Sequence, residues 1–240
     1  MSGNKSRSNL EKVNEWDLLT RLSFEKEMLG IYLTGHPLDN YAATWRALVT
    51  KDSRSMGYLS NSDSDDNFIS SGADARQVMG GLIVKTDWRV SKKQTVYGIV
   101  TFEDLYGTYD ILLWSDLVER YKSLLKPGEI WFATGLIRTS FGKTTLSASN
   151  LFPAGATDQQ AKKLYIVIDR TDDSESGMEE FRELVKKYPG ELPVELKIIS
   201  KNKKSSIIKL PDSMLILPSE NLLREIEKLF GESKAGIEIR

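Results

Sequence analysis

The chain has 240 residues, of which 40% are hydrophobic and 28% are charged, and its 33 basic and 34 acidic residues give a net charge of −1. The lack of cysteine and the single histidine exclude disulfide frameworks, cysteine nucleophiles and the usual zinc ligand sets. No apolar run approaches the ~20 residues of a membrane span. We therefore expect a cytoplasmic globular protein of one large or two small domains, with no cofactor, metal or membrane contact.

Residues 1–49 are predicted to form a short helical segment. Apolar residues recur with helical spacing from Leu10 onwards. Gly35 followed by Pro37 suits the end of that helix, because proline cannot continue it. A second short helix is predicted over about residues 39–49. The segment is too small to bury its own apolar face, so it has to belong to something larger.

Residues 50–76 are dense in serine, aspartate and asparagine and are expected to form a linker. Residues 77–156 are rich in predicted strands, with one amphipathic helix between the third and the fourth strand. The order β-β-β-α-β-β is that of the OB-fold, a small five-stranded barrel. This block contains nine basic and seven acidic residues, a charge of only +2.

The central hairpin of this barrel is VYGIVTFEDLYGTYDILLW, residues 96–114. Its two apolar runs are separated by EDLYG, which supplies turn chemistry. Strand periodicity puts Gly98, Val100 and Phe102 on one side of the first strand, which we assign to the interior of the barrel. The outer face then shows Tyr97, Ile99, Thr101, Asp110 and Leu112.

Residues 160–240 alternate between predicted strands and helices, which indicates a small α/β domain with its helices on one sheet face. The last helix is predicted over Asn221–Phe230, with Ser219 as its N-cap and Gly231 at its end. A strand is also predicted over Met214–Leu217. The whole chain is thus expected to be an α+β multidomain protein: a short helical N-terminal segment, a five-stranded OB-fold barrel and a small α/β C-terminal domain.

The outer barrel face is the strongest candidate for a binding site. OB domains bind single strands by stacking bases on aromatic side chains between basic loops. The predicted nucleic-acid-binding residues are Arg89, Lys92, Lys93, Tyr97, Arg138, Phe141 and Lys143. Asp110 on the same face would repel phosphate, and Ile99 and Leu112 could pack on a neighbouring domain. Two interpretations therefore stay open, weak binding of single-stranded nucleic acid and a barrel used for packing.

An apolar stripe on the last helix is the candidate partner-binding surface of the C-terminal domain. Such a stripe serves either the core or a partner. The candidate residues are Leu222, Ile226 and Phe230 of this helix, together with Leu215 and Leu217 of the strand predicted before it.

No catalytic site is predicted. Glu103 and Asp104 are adjacent, so their side chains would point to opposite faces of a strand and cannot converge. The lone His36 stands beside a proline in a turn, without a nucleophile and an acid to form a triad. We expect that this chain by itself is not an enzyme.

Three stretches of the chain indicate a particular family more specifically than the order of the predicted elements does. They are FEKEMLGIYLTGHPLDNY (residues 24–41), VMGGLIVKTDWRVSKKQTVYGIVTFEDLYGTYDILLW (residues 78–114) and the closing PSENLLREIEKLFG. Together they resemble the C-terminal region of the bacterial replicative DNA polymerase, the alpha subunit of DNA polymerase III. The resemblance covers about residues 10–240, and within it LTGHPLD is the most specific motif.

The resemblance implies a part of that polymerase. The helical segment would end the catalytic part, whose magnesium-binding carboxylates lie upstream in the family. The OB domain would approach single-stranded template DNA, and the C-terminal domain would dock on the tau subunit of the clamp loader. The expected partners are therefore single-stranded DNA, a tau-type subunit and the remainder of the alpha subunit.

Two alternatives remain. A stand-alone accessory or structural protein could be built from the same modules without touching DNA. An anticodon-type RNA-binding OB protein would explain the barrel, but it would explain neither LTGHPLD nor the C-terminal residues.

Overall fold

The structure, a computed structural model, describes residues 15–60, 76–140, 142–169, 177–200 and 204–240. Its N-terminal part holds two helices, α1 (Leu18–Leu29) and α2 (Ala42–Leu48), with a 3-10 turn at Pro37–Tyr41 before α2. Helix α1 starts at the N-cap Asp17, whose carboxylate accepts a hydrogen bond from Thr20 N, and ends at Gly30 with φ of 76°. The predicted start of this helix at Leu10 lies outside the described residues. No helix in the described part of the chain is long and apolar enough to span a membrane.

His36 caps the 3-10 turn. Its Nδ1 accepts a hydrogen bond from Leu38 N at 3.1 Å, while the Asp39 carboxylate accepts one from His36 N at 2.6 Å. These reciprocal bonds form a capping box, which fixes the chain direction within LTGHPLD. Partial burial lowers the pKa of His36, consistent with a neutral imidazole whose Nδ1 accepts.

The stretch expected to be a linker contains a helix, α3 (Ser53–Ser60). Met56 of this helix is buried in the same apolar cluster as the barrel interior. The expectation of a linker over residues 50–76 is therefore wrong for residues 53–60. This stretch is rich in serine, so the buried apolar residue Met56 does not stand out in the sequence. Residues 61–75 lie outside the described residues.

Asp104 of the EDLYG turn holds this helix on the barrel. Its buried carboxylate accepts hydrogen bonds from the backbone N and the hydroxyl of Ser53, both at 2.7 Å. It also accepts from Tyr106 N at 2.9 Å and Gly107 N at 3.0 Å within the turn. The acidic residue thus closes the hairpin and anchors the start of α3 through the same side chain.

The barrel has the predicted order of elements. Its strands are β1 (Gln77–Val90), β2 (Val96–Glu103), β3 (Thr108–Trp114), β4 (Ile130–Ser140) and β5 (Lys143–Pro153), and α4 (Ser115–Tyr121) connects β3 to β4. The strands close in the order β1-β2-β3-β5-β4, with β3 and β5 parallel. The closed five-stranded barrel with its helix after the third strand confirms the predicted OB-fold.

The inner side of the hairpin is the one that strand periodicity predicts. Val100 and Phe102 are completely buried, together with Ile111 and Leu113 of β3. Gly98 lies under the ring of Trp88, and a Cβ at this position would approach that ring to 2.3 Å. Glycine is therefore required here, because the indole fills the end of the barrel.

The C-terminal domain follows after α5 (Thr157–Gln160). Its elements are β6 (Ala161–Asp169), α6 (Met178–Lys187), β7 (Pro189–Leu192), β8 (Val194–Ile199), β9 (Ser205–Lys209), α7 (Glu220–Phe230) and β10 (Ala235–Ile239). The sheet order is β10-β6-β8-β9, and both long helices pack on one face. Ser219 caps α7 as predicted, its hydroxyl accepting from Leu222 N.

One predicted strand of this domain is wrong. Met214 ends a 3-10 turn instead, and Ile216 forms only isolated bridges with the ends of β7. The sequence analysis did not predict β7, whose residues Pro189 and Gly190 are unusual in strands. Gly190 packs so closely on Ile216 that a Cβ would come within 2.4 Å of its carbonyl group.

The helical segment joins the two larger domains. Trp45 and Leu48 of α2 belong to the same buried cluster as the core of the C-terminal domain and as Phe132 and Phe152 of the barrel. The indole Nε1 of Trp45 donates to Gly80 O of β1 at 2.7 Å. The cores of the barrel and the C-terminal domain, expected from the sequence to be separate, are thus bridged by α2.

Helix α7 is bonded to α2 by two carboxylates. Glu220 accepts hydrogen bonds from Ala43 N and Thr44 N, at 3.0 and 2.9 Å, and from the Thr44 hydroxyl at 2.8 Å. Arg46 and Glu227 form a two-bond ion pair with both distances at 2.6 Å. The bonds to Glu220 satisfy backbone N–H groups at the start of α2, which have no acceptor within the helix itself.

Candidate nucleic-acid interface

The outer face of β1, β2 and β3 carries the predicted site. Antiparallel registers put Arg89 opposite Tyr97, and Tyr97 opposite Trp114, so these three side chains form one row across the face. A second row contains Ile99 and Leu112, which are partly exposed. The face therefore combines an aromatic end with an apolar middle.

Tyr97 and Trp114 form the aromatic end. Their ring centroids are 6.0 Å apart and the ring planes are tilted by 41°. The Trp114 side chain is 47% exposed, and its Nε1 donates to the Ser147 hydroxyl of β5 at 3.3 Å. A large aromatic surface is thus held in a defined orientation and is open to a flat ligand.

The first loop, between β1 and β2, presents two lysines beside these rings. Lys92 and Lys93 are exposed at the tip of a turn closed by Gln94 N donating to Ser91 O at 2.9 Å. Neither lysine forms an ion pair with another residue that the structure describes. Their charges are therefore available to a polyanion that passes the aromatic pair.

Two other predicted cations are already paired. Arg89 contacts Asp87 with its Nη2 at 2.6 Å, and this bond raises the pKa of the Arg89 guanidinium. Lys143 contacts Asp110 at 2.5 Å, and Asp110 also accepts from the Thr101 hydroxyl at 2.8 Å. The expected repulsion by Asp110 is therefore reduced, and so is the attraction that Lys143 can offer.

The remaining predicted residues differ in what the structure describes. Arg138 lies half-buried on β4 opposite Thr145, on the outer side of the barrel. Phe141 lies outside the described residues. The structure thus brings Arg89, Lys92, Lys93 and Tyr97 to one end of the face, with Lys143 further along.

The sequence analysis missed Trp114. The signal was present, because period-two alternation continues from Asp110 and Leu112 to Trp114 on the same side of β3. Trp114 is the last residue of β3 and directly precedes α4, so the strand pattern is hard to distinguish at this position from the start of the helix. Trp114 is the larger of the two exposed rings on this face.

A second exposed surface lies around α1. Trp16 and Phe24 are in contact with ring centroids 4.6 Å apart. The large apolar side chains exposed here are Trp16, Leu18, Phe24, Met28, Leu29, Ile31 and Leu33. We call these seven residues the α1 surface. Exposed apolar patches of this kind are typical of surfaces that contact another molecule.

The predicted partner-binding residues of the C-terminal domain do not form one surface. Leu222 and Ile226 are completely buried in the core, because the apolar stripe of α7 faces the sheet. The prediction is therefore wrong for these two residues. Leu217 is 48% exposed, and Leu215 and Phe230 are half-buried.

The described residues contain no group of three or more histidine, aspartate or glutamate side chains placed to hold a metal ion. Glu103, adjacent to the buried Asp104, forms an ion pair with Lys26 of α1 at 2.7 Å. Both carboxylates of EDLYG therefore have structural partners.

The fold and the outer face together define an OB-fold barrel with an aromatic and basic end. Searches with family models give no match. DNA polymerase III subunit alpha of Vibrio cholerae is 26% identical over 233 residues, which are 95% of this chain and 19% of that protein. The same subunit of Pseudomonas aeruginosa is 25% identical over 240 residues, which are 97% of this chain and 19% of that protein.

The chain is therefore similar over nearly its whole length to DNA polymerase III subunit alpha, which confirms the resemblance to the C-terminal region of this subunit. It spans about a fifth of the length of these curated relatives. A third relative, from Treponema pallidum, is 30% identical over 143 residues, 60% of this chain and 11% of that protein.

Solved structures similar to part of this chain include an SSB domain and a single-stranded DNA binding protein. The SSB domain of a Synechococcus protein is 10% identical, with a TM-score of 0.30, and the match covers 32% of this chain and 91% of that chain. The Thermus aquaticus protein is 19% identical, with a TM-score of 0.31, and the match covers 37% of this chain and 44% of that chain.

Proposed function

We propose that this chain is a non-catalytic C-terminal part of a bacterial replicative DNA polymerase alpha subunit. Its barrel binds single-stranded DNA weakly on the outer face of β1, β2 and β3. The observation that carries this proposal is the exposed Trp114 with the partly exposed Tyr97, beside Lys92 and Lys93. The relationship to the polymerase subunit supports DNA rather than RNA as the strand that is bound.

Each element of this face has a role in the proposal. The rings of Tyr97 and Trp114 stack bases, which is tolerant of sequence because every base has a flat face. The two loop lysines contact phosphates and release counterions. Binding is weak because Arg89 and Lys143 are already paired with carboxylates. A duplex binds less well, because its bases are not free to stack.

Single-stranded DNA is expected to bind with an affinity that falls as salt rises. For single strands the slope of log K against log salt is about −0.7 per phosphate contact. Replacing Lys92 and Lys93 by alanine is expected to flatten the slope by about 0.7 for each lysine that contacts a phosphate. Fluorescence anisotropy with a labelled oligonucleotide at several salt concentrations measures this.

A matched control is the exposed pair Lys186 and Lys187 on α6. Their replacement by alanine removes the same charge from the other domain and is expected to leave the slope unchanged. An identical loss of slope in both double variants would show that DNA responds only to overall charge, and no binding at low salt would leave the barrel as a packing module.

The proposal also assigns a partner to the α1 surface and a partner to the C-terminal domain. The α1 surface contacts the remainder of the alpha subunit, which covers these exposed apolar side chains. The C-terminal domain docks the tau-type subunit of the clamp loader, with Leu217 as the most exposed of its candidate residues. The sequence resemblance to the polymerase subunit supports both assignments.

The isolated chain is expected to show no primer extension with magnesium and the four nucleotides. The physical reason is that Glu103 and Asp104, the adjacent carboxylates considered, are each bonded to structural partners. Extension activity that follows the chain through several purification steps, at a constant ratio to protein, would contradict the non-catalytic assignment.

A further inference from the structure

Strand β9 has an open edge. It is the last strand in the order β10-β6-β8-β9, and no strand among the described residues pairs with its outer side. All five of its residues are exposed, and two of them are large and apolar: Ile207 is 63% exposed and Ile208 is 47% exposed. Soluble proteins normally protect such edges, because a free edge pairs with other chains. The exposed isoleucines therefore suggest that this edge is used.

The register identifies the backbone groups that the edge offers. Leu210 N donates to Val194 O at 3.0 Å, so Leu210 directs its backbone groups toward β8. Residues of an antiparallel pair alternate in this respect, so positions 206 and 208 also face β8. The residues whose N–H and C=O groups point outward are Ser205, Ile207 and Lys209.

Charge around the edge indicates which kind of chain would fit. The described residues 204–209 contain two lysines, Lys204 and Lys209, and no acidic residue. Lys197 of β8 lies opposite Ile207 on the open face of the sheet. Lys209 lies 4.0 Å from the carboxylate of Glu195, which is already bonded to another lysine at 2.7 Å. The edge is therefore basic on both sides of its apolar pair.

A second copy of this chain fits the edge poorly. An antiparallel pair of two β9 strands would bring Lys204 and Lys209 of one copy close to the same lysines of the other. Like charges on neighbouring strands are destabilising, and lysines on an edge act against self-pairing. The same lysines attract a strand that carries carboxylates.

We propose that the outer edge of β9 binds an acidic, extended peptide segment of a partner protein as a fifth strand of this sheet. Backbone hydrogen bonds to Ser205, Ile207 and Lys209 supply affinity. Apolar side chains of the peptide cover Ile207 on one face and Ile208 on the other. Glutamate or aspartate side chains of the peptide pair with the flanking lysines.

The first test uses a fluorescein-labelled peptide of the sequence Glu-Glu-Val-Ile-Val-Glu-Glu and the full chain. We expect binding by anisotropy, reduced at least tenfold when Lys204→Glu and Lys209→Glu are combined. A peptide with lysine at each glutamate position is expected to bind the double variant and not the original chain. Equal binding of the two peptides to the original chain would overturn the proposal.

The second test addresses the backbone. Ile207→Pro removes an outward N–H without removing a bond to β8, and proline is tolerated on that side of an edge strand. We expect at least a tenfold loss of peptide binding, whereas Ile207→Val retains it. Hydrogen exchange of the Ser205, Ile207 and Lys209 amides is expected to slow at least tenfold when the peptide binds.

Three results would contradict the proposal. Unchanged exchange of these amides in the presence of bound peptide would show that no strand is added. Dimerisation of the chain that Ile207→Pro abolishes would assign the edge to a second copy. Displacement of the peptide by a single-stranded oligonucleotide that itself requires Lys204 and Lys209 would assign the patch to nucleic acid.

Discussion

Replacement of Glu220 by alanine is expected to lower the free energy of unfolding by roughly 2–4 kcal/mol, because it leaves partly buried donors at the start of α2 without an acceptor. Those donors are Ala43 N, Thr44 N and the Thr44 hydroxyl. Urea unfolding followed by circular dichroism measures the change. The effect is large because this one carboxylate accepts all three hydrogen bonds, and these bonds join α7 to a helix 176 residues away in sequence.

Glu225 provides the matched control on the same helix. It is bonded to Lys228 at 2.7 Å on the exposed side of α7. Solvent screens an exposed ion pair of this kind, so the pair contributes little to stability. Glu225→Ala is therefore expected to lower stability far less than Glu220→Ala, and an equal loss in both variants would contradict the role assigned to Glu220.

The pH dependence of Glu220 gives the same prediction a second readout. Partial burial opposes ionisation, but hydrogen bonds from Thr44, Arg224 and Ala43 outweigh it and lower the pKa of Glu220. The unfolded chain then holds the proton more tightly, so this contribution to stability is complete above the unfolded pKa and is lost as pH falls through the folded one. The stability difference between the original chain and Glu220→Gln is expected to shrink below about pH 4.

Loss of the aromatic pair is expected to produce the largest change in DNA binding. Trp114→Ala should weaken binding of single-stranded DNA by about 1–3 kcal/mol, or roughly 5- to 150-fold, and Tyr97→Ala should act in the same direction. The slope of affinity against salt should stay as it is, because neither ring contacts a phosphate charge. Anisotropy titrations at two salt concentrations separate the two effects.

Two controls make this result specific. Trp114→Phe retains a flat ring and is expected to keep most of the affinity. Trp16→Ala removes an even more exposed indole from the α1 surface and is expected to have no effect on DNA binding. Loss of affinity in Trp16→Ala but not in Trp114→Ala would place the nucleic-acid contact outside the barrel.

Local features of the barrel could be predicted from the sequence because they depend on neighbours along the chain. The alternation of Val100 and Phe102 with Tyr97 and Ile99 follows from the period of a strand, and the structure has the same two faces. The OB-fold followed from the order of the elements. The same alternation along β3 predicts that Trp114 lies on the outer face.

Contacts between distant segments could not be predicted in this way. The bond between Asp104 and Ser53 joins residues 51 positions apart, and a serine-rich stretch gives no sign of it. The burial of Leu222 and Ile226 also depends on which face of α7 meets the sheet. An apolar stripe has the same pattern whether it meets a core or a partner.

The position of α2 has a consequence for how this molecule responds to load. Trp45 is bonded to β1 of the barrel, and Arg46, the next residue, is bonded to Glu227 of the C-terminal domain. Tension between the barrel and the C-terminal domain is therefore carried by this short helix as well as by the direct chain connection through residues 154–160. Pulling the two domains apart would break the indole bond and a two-bond ion pair together, so the spacing of the domains is expected to stay fixed until α2 yields.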